Sequence, residues 1–131
     1  MVQAEVGHRL AAEPGSKVYG GPSAKAAWYG AWRIAGTVSR QVFWPVPNVD
    51  SVLVGFERDT EEPGDEALRR RTFDIIDAAF GQRRKMLRQA LAELCGSSAQ
   101  ATELLESAGI EPTLRGEQLG IAEFVSIARA R

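Results

Sequence analysis

The sequence predicts an α+β protein, in which strands and short helices precede a part that is entirely helical. Two segments, residues 31–38 and 51–57, alternate apolar and polar residues with the period of two that is typical of strands. From Leu68 onward the apolar residues recur at helical spacing instead. Between these regions the sequence ERDTEEPGDE is mostly acidic and contains a proline and a glycine, which indicates a solvated linker at residues 59–64.

The first part, residues 1–58, is predicted to contain too few strands and helices for a complete domain. Besides the two strands, we expect the tail of a third strand and two short helices, at residues 1–3, 6–12 and 23–30. Ser23 is the expected N-cap of the second helix, and Gly30 follows its end. So few strands leave unpaired edges, which a stable domain covers. We therefore expect the end of a larger α/β domain, with self-association through an exposed sheet edge.

The second part, residues 65–131, is predicted to form a small bundle of four amphipathic helices. The third helix is expected to begin with a capping box of Ser97 and Gln100, and glycines end the second and third helices. The apolar rows of the four helices are Leu68, Thr72, Ile75, Ile76, Ala79 and Phe80; Met86, Leu87, Ala90, Leu91 and Leu94; Leu104, Leu105 and Ala108; and Ile121, Phe124, Val125 and Ala128.

Composition excludes several classes of site. His8 is the sole histidine and Cys95 the sole cysteine, so we expect neither a metal site nor an internal disulfide. No apolar run approaches the roughly 20 residues that span a bilayer, and Glu5 interrupts any secretory signal. We therefore expect a cytoplasmic protein without a membrane partner. The sequence also contains no GxGxxG or P-loop pattern, so no cofactor-binding residues are expected.

The basic residues are concentrated after the linker, although the net charge of the chain is only −1. The segment GQRRKMLRQAL, residues 81–91, contains Arg83, Arg84, Lys85 and Arg88. On a helix, Arg84 and Arg88 share a face opposite the apolar residues, and such a row of cations suits phosphate oxygens. The segment is therefore either a nucleic-acid contact or a solvated helix face, and the absence of acidic residues favours the former.

A second candidate is the segment FWPVPNVDS, residues 43–51. Pro45 and Pro47 fix the backbone and remove two hydrogen-bond donors, which predicts a rigid loop at the margin of a sheet. Phe43 and Trp44 are either core residues that enter a strand or rings presented by this loop. A rigid loop that holds a ring at the end of a sheet is suited to stacking a base that has left its helix.

Five segments together resemble the ribosomal RNA adenine dimethyltransferases, the type that dimethylates two adjacent adenines near the 3′ end of small-subunit rRNA. FWPVPNVDS is similar to the F-x-P-x-P-x-V-D-S element of that family. VQAEVGHRL resembles Q-x-E-V-x-x-R-L, SKVYGGPSAKAAWY resembles K-x-Y-G-x-x-S, and AFGQRRKMLRQAL resembles A-F-x-Q-R-R-K-x-L-R-x-x-L. LRGEQLGIAEF resembles the ending of the family. The motifs follow the family's order and cover nearly the whole chain.

The resemblance implies that residues 1–58 are the last strands and helices of a Rossmann-like S-adenosylmethionine methyltransferase domain, and residues 65–131 a small all-α rRNA-binding domain. Family members bind S-adenosylmethionine through a Gly-rich loop and hold the target adenine with an Asn-[Leu/Ile]-Pro-Tyr tetrad. Neither occurs here, since Asn48 is the sole asparagine. We therefore expect a C-terminal fragment that is inert alone, whose full-length parent uses S-adenosylmethionine and acts on 16S rRNA of the small ribosomal subunit.

The resemblance also implies roles for individual residues. Phe43 would stack on the flipped adenine, and the basic residues Arg83, Arg84, Lys85 and Arg88 would grip rRNA phosphates. Arg115 would pair with Glu117 or face RNA. A further set would be structural and would brace the target loop: Tyr19, Gly20, Ser23, Pro45, Pro47, Asp50 and Ser51.

Two other functions remain open at this point. The large-subunit rRNA adenine methyltransferases that confer macrolide resistance share the aromatic-proline loop, although NVDS, QRRK and LRGEQL together fit the small-subunit type better. A non-enzymatic assembly or transcription factor of the same fold is the alternative from another class. Product analysis separates the two enzymes, because the small-subunit type makes two adjacent dimethylated adenines and the large-subunit type makes a single modified adenine.

Overall fold

A computed structural model describes residues 1–58 and 61–131; Asp59 and Thr60, which belong to the predicted linker, lie outside the described residues. The helices and strands, in chain order, are β1 (Val2–Gln3), α1 (Ala4–Leu10), α2 (Gly21–Ala27), β2 (Gly30–Val38), β3 (Ser51–Arg58), α3 (Glu66–Gly81), α4 (Leu87–Ala90), α5 (Ala92–Cys95), α6 (Ser98–Ser107) and α7 (Ile121–Ala130), with 3-10 turns at Arg40–Val42 and Gly116–Gln118. The α+β class is confirmed.

The three strands form one sheet with β3 in its centre, in the order β1-β3-β2. Both neighbours run antiparallel to β3, so β1 and β2 are parallel to each other and are joined through α1 and α2. Ile34 pairs with Val54, and a register shift follows before Gly36. Both predicted strands and the strand tail are confirmed. Within the described residues β1 and β2 are the two edge strands, and self-association through an exposed sheet edge stays a prediction.

Helix α1 lies against the sheet at a very close approach. Gly7 is its buried residue, and an added Cβ there would lie only 2.1 Å from Val52 Cγ2. Val52 itself is 1% exposed. Glycine is therefore required at this position because any side chain would push the helix away from β3.

The hydrophobic core crosses the predicted boundary. Tyr19, Ala24 and Trp28 precede the linker, yet they are buried together with residues of α3 to α7. The ring of Trp28 packs edge-on against Phe73, with 6.3 Å between centroids, and Tyr19 packs in the same way against Phe80 at 5.8 Å. The division into residues 1–58 and 65–131 stays a prediction, but the two parts share one interior.

The described end of the linker receives hydrogen bonds from both parts, while Glu61 and Glu62 are exposed to solvent, and its assignment as a linker stays a prediction. Trp28 Nε1 donates a hydrogen bond of 3.3 Å to Glu62 Oε2 from one side. From the other, Arg129 Nη2 donates to the Pro63 carbonyl at 2.7 Å. Asp65 then caps α3 by accepting a hydrogen bond from the Leu68 amide.

Several predicted boundaries need correction. Helix α2 begins at Gly21, and Ser23 lies in its first turn, where its hydroxyl accepts from the amide of the N-cap Gly20. The predicted second helix of the bundle is two helices of four residues, α4 and α5. Helices α6 and α7 are confirmed, as are the N-cap role of Ser97 and the helix-ending role of Gly96, which has a φ of 101°.

No described helix combines the length and apolarity that crossing a bilayer requires.

Candidate nucleic-acid interface

The aromatic-proline loop, defined here as residues 39–50, connects β2 to β3. It begins with the 3-10 turn, which is capped by the Ser39 hydroxyl accepting a hydrogen bond of 3.2 Å from the Gln41 amide. Phe43 follows the turn and is half-buried, whereas the side chain of Trp44 is 93% exposed. Of the two interpretations of this aromatic pair, the structure excludes a core position for Trp44.

A cavity of about 410 Å³ opens beside this loop. Its lining is largely apolar, because the rings of Phe43 and Trp44 and the two prolines form much of the wall. The other lining residues come from the start of the chain and from the junction with β3: Met1, Gln3, Val49 and Ser51. A ring-lined surface that a planar group can reach from solvent is suited to stacking.

The two ends of the loop are joined by Arg40 and Asp50. Asp50 Oδ1 accepts from the Arg40 amide at 2.8 Å and from Arg40 Nε at 3.2 Å. Arg40 Nη1 also donates to the Asn48 carbonyl at 2.9 Å. The hydrogen bonds from Arg40, and then its charge, hold the pKa of Asp50 below its usual range. These contacts fit the structural role that the resemblance implies for Asp50. Ser51, the next residue, begins β3.

The sequence analysis missed Arg40 as its partner. A cation and an acid at opposite ends of a proline-rich loop were the available signal.

Arg83, Arg84 and Lys85 occupy a turn and Arg88 lies on α4, so the expectation that one helix carries all four basic residues was wrong. Helix α3 ends where Gln82 adopts φ −128° and ψ 63°, and Met86 is extended at φ −63° and ψ 152°. We call residues 83–88 the basic segment; its turn precedes α4. Arg84 and Lys85 are exposed, and Arg88 is half-buried on α4. Arg84 and Arg88 therefore do not share one continuous helical face.

The reason for the break is a contact from a distant part of the chain. The Leu87 amide donates to the Leu114 carbonyl at 2.7 Å, and the Arg88 amide donates to the Pro112 carbonyl at 3.2 Å. These bonds replace the intrahelical partners that a continuous helix would have supplied. Leu114 is thus hydrogen-bonded to the basic segment, and the exposed Arg115 is the next residue in the chain.

Arg83 and Arg115 each differ from expectation. Arg83 Nε lies 3.3 Å from Glu117 Oε2, and its Nη2 donates to the carbonyls of Tyr19 at 2.8 Å and Lys17 at 3.3 Å. Glu117 thus pairs with Arg83, and the predicted pair of Arg115 with Glu117 was wrong. Arg115 is left exposed, with its amide bonded to Gln118 Oε1 at 2.9 Å.

Tyr19, Gly20 and Ser23 were predicted to support the target loop. Their contacts lie at another junction instead. Tyr19 is 2% exposed, and its hydroxyl donates to the Leu119 carbonyl at 2.7 Å. The Ser23 hydroxyl donates to the Arg9 carbonyl and accepts from Gly20. Tyr19, Gly20 and Ser23 therefore hold α1, α2 and the helical part together, because Leu119 and Arg83 belong to that part.

The comparisons with known proteins identify the family of the chain. The family described as "Ribosomal RNA adenine dimethylase" matches residues 1–130. The chain is 69% identical over 128 residues to "Ribosomal RNA small subunit methyltransferase A" of Leifsonia xyli subsp. xyli, covering 98% of this chain and 46% of the relative. The protein of the same name from Nocardia farcinica is 61% identical over 130 residues, with 98% and 44% covered. The chain thus spans less than half the length of these curated relatives.

Two solved structures share the fold. A dimethyladenosine transferase from Plasmodium falciparum superposes with a TM-score of 0.80 at 18% identity, over 95% of this chain and 53% of that one. The 23S rRNA methyltransferase ErmE gives a TM-score of 0.66 at 17% identity, over 98% and 51%. At these identities the likeness concerns the fold alone. The match along residues 1–130 carries the assignment, and the chain belongs to the ribosomal RNA adenine dimethylase family.

Proposed function

We propose that this chain supplies the base-stacking loop and part of the RNA grip of an enzyme that dimethylates two adjacent adenines near the 3′ end of small-subunit rRNA. The observation that carries the proposal is the aromatic-proline loop, which holds Phe43 in the wall of an open, ring-lined cavity. The curated relatives named small-subunit rRNA methyltransferase A favour this target over large-subunit rRNA.

In this proposal Phe43 stacks on the adenine that has left its helix. Stacking of a base on an aromatic side chain is worth about 1–3 kcal/mol, which offsets much of the cost of unstacking. Pro45 and Pro47 restrict the backbone on one side of the ring, and the 3-10 turn restricts it on the other. The ring is thereby held in place before the base arrives, which lowers the entropy lost on binding.

In this proposal the phosphates of the RNA are held by cations of the basic segment and its neighbour that form no ion pair within residues 1–58 and 61–131. Arg84 and Lys85 are exposed on the turn, Arg88 follows on α4, and the exposed Arg115 follows Leu114, whose carbonyl accepts from the Leu87 amide. Such contacts position the nucleic acid without reading its bases. Arg83 contributes chiefly by holding the turn in place, because its guanidinium is bonded to Glu117, Tyr19 and Lys17.

We further propose that residues 1–58 are the end of a Rossmann-like methyltransferase domain and that residues 65–131 are the helical rRNA-binding domain. The parallel arrangement of β1 and β2 around two helices supports the first assignment.

S-adenosylmethionine would be the methyl donor of the whole enzyme. In this proposal no residue of the present chain is assigned to that donor, and the chemistry of the residues present is to bind and orient RNA.

Binding of the chain to the 3′-terminal region of small-subunit rRNA, measured across a salt series, tests the proposal. We expect the triple variant Arg84→Ala, Lys85→Ala, Arg88→Ala to bind more weakly and to lower the slope of log K against log salt by about 2, at about 0.7 per lost contact. The control removes three exposed arginines elsewhere, Arg33→Ala, Arg71→Ala and Arg131→Ala. Equal slopes in the two triple variants would show that the basic segment is only a solvated surface.

A further inference from the structure

The aromatic-proline loop receives little support from packing. Its apolar side chains are largely in contact with water, since Val42 is 69% exposed, Trp44 93%, Val46 48% and Val49 44%. Burial of apolar surface therefore cannot be what fixes the loop in one conformation. Polar contacts between its own residues have to supply the order that the two prolines do not.

Arg40 makes those contacts. Its amide and its Nε both donate to Asp50 Oδ1, and its Nη1 donates to the Asn48 carbonyl. Asp50 is in turn anchored to the rest of the molecule, because its carbonyl accepts a hydrogen bond of 2.9 Å from the Ala4 amide at the start of α1. A connected path thus runs from α1 through Asp50 to Arg40, three residues before Phe43.

We propose that Arg40 is a positioning residue that closes the aromatic-proline loop and thereby sets where Phe43 and Trp44 meet a base. The consequence for RNA rests on the proposed function of Phe43, whereas the closure of the loop does not. The guanidinium is suited to this task because its planar fork reaches the carboxylate and the carbonyl simultaneously. A lysine at this position keeps the charge but can hold the two acceptors only with a single nitrogen.

Fluorine NMR of the full chain labelled with 5-fluorotryptophan tests the closure directly. The chain has three tryptophans, and Trp44→Phe identifies the resonance of the loop. Trp28, at 0% exposure, reports whether the core is intact. We expect Arg40→Ala to shift and narrow the Trp44 resonance while the Trp28 resonance stays unchanged. Arg40→Lys should give an intermediate position, and the control Arg33→Ala on β2 should leave the Trp44 and Trp28 resonances in place.

A Trp44 resonance in Arg40→Ala that coincides with that of the parent chain would overturn the proposal. Asp50→Asn provides a second variant, because it keeps an acceptor for the Arg40 amide but removes the carboxylate charge. We expect its Trp44 resonance to move in the same direction as in Arg40→Ala and by less. Movement in the opposite direction would also overturn the proposed closure.

A double-mutant cycle separates positioning from direct contact with phosphate. We expect Arg40→Ala to weaken binding of the rRNA region about fivefold in the parent chain and hardly at all in a Phe43→Leu background, with the salt slope unchanged. Equal losses in both backgrounds, together with a slope lowered by about 0.7, would make Arg40 a phosphate contact and refute the positioning role. If Phe43→Leu itself leaves binding unchanged while the NMR shows the loop released, the stacking function fails and the closure by Arg40 stands.

Discussion

Arg83 and Glu117 form an ion pair, with 3.3 Å between Nε and Oε2, that ties the end of α3 to the segment before α7. The same guanidinium donates to the Tyr19 carbonyl, which precedes α2. One arginine therefore joins three segments that are far apart in the sequence. The next residue, Arg84, is exposed. Two adjacent arginines of one motif thus lie in different environments.

The first prediction contrasts these two arginines. We expect Arg83→Ala to lower the free energy of unfolding by about 1–2 kcal/mol, because it removes charge-assisted hydrogen bonds and leaves the Tyr19 carbonyl without its donor. Arg84→Ala should change it by less than about 0.5 kcal/mol, as is usual for an exposed residue. Urea denaturation of the two variants measures both. Equal destabilisation by the two variants would contradict the separate roles.

The second prediction concerns the phenol of Tyr19 at alkaline pH. Burial, and then the charge of Glu123, raises the pKa of Tyr19 to about 12. Because this value lies above the usual pKa of about 10, the protonated phenol stabilises the fold fully below pH 10 and progressively less as the pH rises toward 12. Wild-type stability should therefore fall more than that of Tyr19→Phe between pH 9 and 11. Parallel curves for the two proteins, measured by denaturation in urea, would refute this.

The third prediction concerns the start of α3 in acid. Hydrogen bonds from Arg69, and further bonds from Arg70, lower the pKa of Glu66 to about 2. The carboxylate therefore stabilises the fold above its usual pKa of about 4.3, and this contribution disappears as the pH falls toward 2. The difference in unfolding free energy between wild type and Glu66→Gln should shrink across this range.

High salt at neutral pH should also reduce that difference, because the carboxylate is exposed. The control is Glu103→Gln, an exposed glutamate of α6. A difference from wild type that shrinks equally for both variants would show that the acid effect belongs to the net charge of the chain and not to Glu66.

The fourth prediction compares two glycines. Gly7→Ala should destabilise the protein by about 1–3 kcal/mol, because the new methyl group would meet Val52 Cγ2 at 2.1 Å and force α1 away from the sheet. At Gly81 an added Cβ meets nothing within 4 Å, and Gly81→Ala should be neutral or stabilising by up to about 1 kcal/mol. Thermal unfolding of both variants provides the test, and a stable Gly7→Ala would show that the helix can move at little cost.

The strands and the longer helices could be predicted because the apolar residues that set the periodicity of the sequence are the ones that the fold buries. Helix α3, for example, buries Leu68, Ile75 and Ala79 at the spacing that identified it. The break after α3 was predicted only in part, because separate apolar rows end at Phe80 and begin at Met86 whereas Arg84 was placed on a helix. Met86, Leu87 and Leu91 have helical spacing whether or not the helix is continuous, and the bond from Leu87 to Leu114 that decides between the two arrangements joins residues far apart in the sequence.

The candidate site was predictable to a similar extent. The prolines correctly indicated a constrained loop, since φ restriction is a local property of the residue. Neither the exposure of Trp44 nor the contacts of Arg40 follows from local preference, because both depend on how the loop returns to β3. The environments of Arg83 and Arg84 likewise differ because Glu117 and the carbonyls of Tyr19 and Lys17 contact Arg83.

The shared interior of Tyr19, Ala24 and Trp28 with the later helices has a consequence for cleavage. We expect a protease that cuts within residues 59–64 to produce two pieces that stay associated and elute together in gel filtration, separating only in denaturant. Each piece expressed by itself should remain unfolded, since removing the other exposes apolar side chains that have no alternative cover. Mixing the two pieces should then restore the helical circular dichroism signal, because each piece folds only in contact with the other.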